Sequence, residues 1–311
     1  MPAGDKNYLR PDVLARIGGL ELRARTVVEG IISGMHRSPY HGFSVEFSQH
    51  REYVPGDDLR HLDWRVYGKS DRFYVKQYEE ETNLRAHILV DCSSSMRYPE
   101  HRPDAGAVPR MNKFDYAATL AASLAYLLVN QGDAVGLMLF DDQVRLTMPA
   151  YSNFAHLQSV IAQLERAQLE RPTEAKAVFT QLAAQLHRRS IVVLVSDLLA
   201  GLDDVIRGIE RLQQGNHELI VMHVLDQDER EFPFLDLTLF EGLEVPELQL
   251  LTDPQALRSG YLEALNTFLA DIRAACVNRR IEYVGLSTAD PLDVALRGYL
   301  AMRSHLIKAK A

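Results

Sequence analysis

From residue 84 onward the chain alternates two apolar rhythms. Short continuous apolar runs at 86–90, 134–140, 191–196, 218–224 and 281–286 read as strands. Between them lie stretches with helical apolar spacing, near 113–130, 154–167, 174–188, 203–213, 254–278 and 292–302. The best marked is 113–130. Phe114, Ala117, Leu120, Ala121, Leu124 and Leu128 form one stripe there, and Gln131-Gly132-Asp133 ends it. Residues 143–148, QVRLTM, follow the turn at Asp141-Asp142 and predict an antiparallel strand hairpinned to the second one. Strands alternating with helices imply an open, doubly wound, mostly parallel sheet with helices on both faces: an α/β fold with one antiparallel strand.

The first 83 residues have a different texture. Residues 8–36 read as helical, with Leu14, Ile17, Leu20 and Leu22 starting an apolar face and Val27, Val28, Ile31 and Ile32 continuing it. Gly18-Gly19 argues against one unbroken helix. Over 38–82, aromatic and polar residues alternate among many turn formers, which predicts short strands and loops. Pro55-Gly56 suits a type II turn. The expected organisation is an N-terminal helix and β-rich segment, 1–83, packed on an α/β domain, 84–311. The loop 98–112 is the expected flexible segment.

Composition narrows the function classes. The chain has 311 residues, 47% hydrophobic and 24% charged, with a net charge of −8, as expected of a soluble globular protein and without the basic footprint of a nucleic-acid binder. Cys92 and Cys276 form no pair pattern, which argues against a disulfide framework or a cysteine zinc site; reduced, partly buried thiols are expected. The first residues show no charged-then-apolar leader pattern. The longest apolar stretch, 116–129, is too short and too interrupted to span a bilayer. The expectation is a cytoplasmic protein with no membrane span of its own.

Candidate chemistry gathers at strand ends, where open α/β sheets bind ligands. The first strand ends in Asp91-Cys92-Ser93-Ser94-Ser95 and a later one in Ser196-Asp197; Thr173 stands ahead of helix 174–188. Asp91, Ser93 and Ser95, two apart, can point the same way as the chain leaves its strand. With Asp197 they offer carboxylate and hydroxyl oxygens only, a set suited to Mg²⁺ or Mn²⁺. The competing reading is local: Asp and Ser favour caps and turns, Asp197 can cap the helix near 203, and Thr173 can be the N-cap of helix 174–188.

The order Asp91-x-Ser93-x-Ser95, Thr173, Asp197 resembles the metal-ion-dependent adhesion site of von Willebrand factor type A domains. The preceding segment carries Ser38, Gly42, Glu46 and Phe47, then Arg51, Tyr53, Pro55, Gly56, Asp57, Asp58, Arg60, Asp63 and Trp64. It resembles the signature of the bacterial family called domain of unknown function 58, with likeness from about residue 10 to 302. The resemblance implies a type A-like fold with one antiparallel edge strand. It also implies a metal at Asp91, Ser93, Ser95, Thr173 and Asp197. The implied role is that of partner or adaptor to a MoxR-type AAA+ ATPase, in assembling or remodelling other proteins. Many relatives carry N-terminal transmembrane helices, and this chain resembles the short, soluble branch. One departure stands out: the threonine loop, often glycine-rich, is here Glu170-Arg171-Pro172-Thr173-Glu174-Ala175-Lys176.

Other groups have plainer readings. Arg51, Arg60, Asp57, Asp58 and Asp63 suit a charge network that docks the segment, with Trp64 as an anchor. His217 and His223 lack metal-spaced partners and suit core or surface roles. Asp226, Asp228, Glu229 and Glu231 read as a solvated loop. No phosphate loop, nucleophile elbow or HExxH helix is present. Three functions follow. The first is a non-enzymatic binding module whose cation takes a partner's carboxylate. The second is a structural subunit with a vestigial site. The third is a Mg²⁺-dependent phosphohydrolase, which lacks an acid two residues after Asp91 and a lysine in the expected loop.

Overall fold

The computed structural model describes residues 14, 19–35, 50–52, 74–76, 84–100, 110–172, 175–186, 189–245, 247–292 and 296. Its centre is a six-stranded sheet. The strands are β3 (Arg85–Asp91), β4 (Ala134–Phe140), β5 (Val144–Tyr151), β6 (Ile191–Ser196), β7 (Glu218–Leu225) and β10 (Glu282–Ser287), in the order β10-β7-β6-β3-β4-β5. All neighbours are parallel except β4 and β5, which form the expected hairpin. This is the expected von Willebrand type A-like arrangement, with β5 as the antiparallel edge.

Strand periodicity builds two cores, because successive side chains point to opposite faces. Ile88, Val90, Val193, Val195, Met222 and Val224 enter one core, while Leu89, Val192, Leu194 and Val221 enter the other. The first core is covered by α1 (Leu20–Met35), α2 (Lys113–Asn130) and α3 (Phe154–Glu165), the second by α4 (Ala175–Gln185), α5 (Leu202–Gln213) and part of α7 (Pro254–Asn278). Helix α2 is buried nearly all round, which explains its small, apolar composition. Asn112 caps its start by accepting from the Asp115 N–H at 2.6 Å, and Gly132, at φ +79°, lets the chain leave its end.

Helix α1 follows Gly19, whose φ of +79° marks the break that the two glycines predict. It buries Leu20, Ala24, Val27, Val28 and Ile31. Leu22, assigned to that face from sequence, is instead exposed: two positions after Leu20, it lies about 200° round the helix. The expected short strands appear as β1 (His50–Glu52) and β2 (Tyr74–Lys76), paired antiparallel. The Pro55–Trp64 segment, Ser38–Phe47 and the middle of the 98–112 loop lie outside the described residues, as does most of helix 292–302. Among the described residues no helix is long and apolar enough to cross a membrane.

The region after β7 departs from expectation. The acidic run is not a solvated loop. It forms a short helix, α6 (Gln227–Glu231), closed by a capping box. Asp226 accepts from the Asp228 N–H at 2.9 Å, and Glu229 accepts from the Asp226 N–H at 2.7 Å. An antiparallel ribbon follows, β8 (Thr238–Glu241) with β9 (Gln249–Thr252), which the periodicity reading missed.

Candidate metal centre

The sheet order reverses at the centre: from β3 the chain moves to β4 on one side, then returns to β6 on the other. Such a reversal leaves a crevice beyond the strand ends. Asp91 closes β3 there, and Ser196-Asp197 leave β6 beside it. Asp91, Ser93, Ser95 and Asp197 are all buried.

The loop after β3 is held by its own polar groups. Asp91 Oδ1 accepts from the Ser93 N–H at 2.9 Å, and Asp91 Oδ2 accepts from the Ser196 hydroxyl at 2.5 Å. Ser93 Oγ and Ser95 Oγ lie 3.0 Å apart. Ser94 Oγ is buried and has no hydrogen-bond partner among the described residues. Beyond Asp197 the backbone is strained. Leu198 is buried at φ 51°, a left-handed conformation that costs an L-residue on the order of 1 kcal/mol. That turn sends the Leu198 N–H to Ser196 Oγ at 2.9 Å and the Leu199 N–H to Asp197 Oδ1 at 3.1 Å.

A residue that sequence reasoning missed completes the electrostatics. Lys113, first residue of α2, is wholly buried; its ammonium donates to Asp197 Oδ2 and to Glu229 Oε1, each at 2.7 Å. A lysine does therefore reach the cluster, though from a helix start rather than a loop. The signal available was a charged residue opening an otherwise apolar helix. Burial alone would lower the Lys113 pKa; Asp197 and Glu229 outweigh it and keep the ammonium charged. Asp197 is pushed up by burial but held below the usual carboxylate range by Lys113. Asp91 has no such cation among the described residues: burial, then the charge of Asp197, pushes it up to about 7. Burial likewise raises Glu229.

His223 forms the floor of the site. Its Nε2 lies 2.8 Å from the Asp197 carbonyl oxygen and its Nδ1 2.9 Å from the Tyr283 hydroxyl. The carbonyl can only accept, so Nε2 carries the proton. Burial lowers this imidazole to about 4 and keeps it neutral, in line with the expected core role. Asp226, the N-cap of α6, and Asp228 are also tied in. Asp226 takes the Arg110 guanidinium at 2.6 Å and the Thr288 hydroxyl at 2.5 Å, and Asp228 takes Arg110 and the Tyr98 hydroxyl, each at 3.2 Å.

The expected site residues thus divide. Asp91, Ser93, Ser95 and Asp197 come together; Thr173 and its neighbour Glu174 lie outside the described residues. The chain two residues ahead of Thr173 does reach the site, since the Ser94 N–H donates to the Arg171 carbonyl at 2.7 Å. Among the described residues no three His, Cys, Asp or Glu side chains are grouped to hold a metal, so a cation here needs the serine hydroxyls as well. The donor set fits one. It is all oxygen, the Ser94 hydroxyl beside it is buried with no hydrogen-bond partner among the described residues, and of its three carboxyls only those of Asp197 and Glu229 share the Lys113 ammonium. Ionised together, Asp91, Asp197 and Glu229 leave two negative charges after Lys113, which one divalent cation would balance.

A family model described as "Protein of unknown function DUF58" matches residues 49–267. The chain belongs to that family. The uncharacterized protein Rv1480 of Mycobacterium tuberculosis and Mb1516 of Mycobacterium bovis are each 24% identical over 265 residues, covering 84% of this chain and 80% of theirs. Among solved structures, an aerotolerance-related membrane protein from Bacteroides fragilis is 16% identical with a TM-score of 0.44, covering 69% of this chain and 95% of that one. The BatB protein of Bacteroides thetaiotaomicron is also 16% identical, with a TM-score of 0.41 over 73% of this chain and 100% of that one. The SpRpn10 VWA domain is 15% identical, with a TM-score of 0.38 over 67% and 91%.

Proposed function

We propose that this DUF58 protein is a non-enzymatic, divalent-cation-dependent protein-binding module. The observation that carries this reading is the pairing of Asp91 with Asp197 at the switch point, with Ser93 and Ser95 beside them. Mg²⁺ or Mn²⁺ would be held by Asp91, Ser93, Ser95 and Asp197, with Thr173 as a further ligand by resemblance. When bound, the cation supplies an electrophilic position for a carboxylate from another protein. The chain's own groups do the rest. Ser196 and the Ser93 amide orient Asp91, Lys113 fixes Asp197, and His223 supports the Asp197 backbone.

The proposed partner is a MoxR-type AAA+ ATPase, or its client, offering an acidic side chain. That follows the family resemblance, and the proposed setting is the cytoplasm. A non-catalytic role is favoured by the local chemistry. Ser93, where a phosphohydrolase would have its proton donor, is a hydroxyl bonded to Ser95, and Lys113 Nζ donates to the carboxylates of Asp197 and Glu229.

Calorimetric titration of Mg²⁺ and Mn²⁺ into EDTA-stripped protein tests the reading, with Asp91→Ala alongside. One-to-one binding by the wild type, lost in the variant, is expected. Absence of binding to the folded wild type, with a MoxR-type partner retained in EDTA, would leave a structural subunit with a vestigial site.

A further inference from the structure

The β8–β9 ribbon presents an apolar surface that nothing in the described structure covers. One side is anchored. Phe240 stacks on Phe232 with ring centroids 5.6 Å apart, Phe234 meets Phe240 edge-on at 5.2 Å, and Phe232 packs on Tyr261 of α7 at 4.7 Å. The Tyr261 hydroxyl donates to the Glu229 carbonyl at 2.9 Å, which fixes the ribbon to the same α6 that supports Lys113. The other side carries Leu239 directly opposite Leu251, and these are 49% and 62% exposed. Leu235 and Leu237, just ahead of β8, are each about 70% exposed. So much clustered, exposed leucine on an anchored ribbon is the signature of an interaction face. Among the described residues the ribbon pairs with no third strand, so its edges are open as well.

The charge within the ribbon's own segment has one sign. Between Arg230 and Arg258 the sequence has Glu231, Asp236, Glu241, Glu244, Glu247 and Asp253, with no lysine, arginine or histidine. Arg258, at the far end of this segment, is exposed, and its guanidinium donates to the Glu231 and Phe232 carbonyls. A second copy docking face to face would set acid against acid, and an anionic lipid surface would be repelled in the same way. The complementary occupant is apolar at its centre and basic at its rim.

We propose that the β8–β9 ribbon docks an apolar segment of a partner protein that carries lysine or arginine on its flanks. This surface is separate from the cation site and does not depend on the metal reading.

The test uses two short amphipathic peptides with the same leucine stripe, one flanked by lysines and one by glutamates. Their binding is measured by fluorescence anisotropy in EDTA, with Asp91→Ala as a second background. The lysine peptide is expected to bind both proteins equally and to weaken with salt, while the glutamate peptide does not bind. Leu239→Ser with Leu251→Ser, both at exposed positions, is expected to keep the fold by circular dichroism and weaken binding about tenfold, roughly 1.4 kcal/mol. Glu241→Lys with Glu247→Lys is expected to shift preference toward the glutamate peptide. The proposal is overturned if neither peptide binds, if both bind alike, or if the leucine variant binds as the wild type does. Association with anionic vesicles, or dimerisation in sedimentation velocity, that disappears in the leucine variant would also overturn it. A failed Mg²⁺ titration leaves this outcome untouched.

Discussion

The Lys113 ammonium lies 2.7 Å from Asp197 Oδ2, with both side chains shut away from solvent. A second acid, Glu229, takes the same ammonium from the opposite element, α6. One cation thus joins the start of α2, the end of β6 and the helix after β7. An ion pair so placed adds little stability over an apolar packing, but removing one partner leaves buried charge behind.

Lys113→Met is therefore expected to destabilise the EDTA-treated protein by about 3–5 kcal/mol, read from urea unfolding. If a divalent cation binds beside Asp197, Mg²⁺ should restore more stability to this variant than to the wild type. A variant as stable as the wild type in EDTA would show that Asp197 and Glu229 tolerate each other unaided.

His87, on β3, gives a pH prediction. Burial, then the nearby charges of His217 and Arg85, lowers it to about 4, and its buried Nδ1 has no hydrogen-bond partner among the described residues. A histidine depressed in the folded state binds its proton more readily when unfolded, so its contribution favours folding above about 6.5. That contribution is lost as pH falls from about 6.5 toward 4. His87→Gln should flatten the decline in urea midpoint across that window. His217 and His223, also lowered, will leave part of the slope.

Gly208 gives a packing prediction. A methyl group there would overlap the ring of Phe179 where α4 meets α5, and Phe179 is itself buried against Phe140, with ring centroids 5.9 Å apart. Gly208→Ala should cost about 1–3 kcal/mol by overpacking, despite its better helix propensity. Adding Phe179→Leu should recover part of the loss in the same unfolding measurement.

The sheet was legible in the sequence because its strands are buried on both faces and its helices have clear apolar stripes. Strands at 134–140 and 191–196 and helices at 113–130 and 254–278 agree with the observed bounds. The cluster Asp91, Ser93, Ser95 and Asp197 was legible for a related reason: polar residues that end apolar strands lie at the ligand-binding edge. Lys113 was not, because a lysine at a helix start ordinarily faces water, and only the tertiary approach of Asp197 and Glu229 gives it a buried role. The ribbon was missed because Leu239, Leu250 and Leu251 follow neither a helical period nor a clean alternation. The acidic run was misread because its charges meet Arg110, Lys113 and Thr288, from segments far away in sequence.

Asp91 and Ser196 touch across 105 residues of chain. During synthesis the first half of the oxygen cluster leaves the ribosome long before the second exists. The pocket is finished only when β6 inserts next to β3, a long-range pairing of the kind that forms slowly. A chain arrested before Ile191 can carry Asp91, Ser93 and Ser95 yet cannot bring Ser196 and Asp197 beside them, which makes the Asp91–Ser196 contact a reporter of the completed sheet.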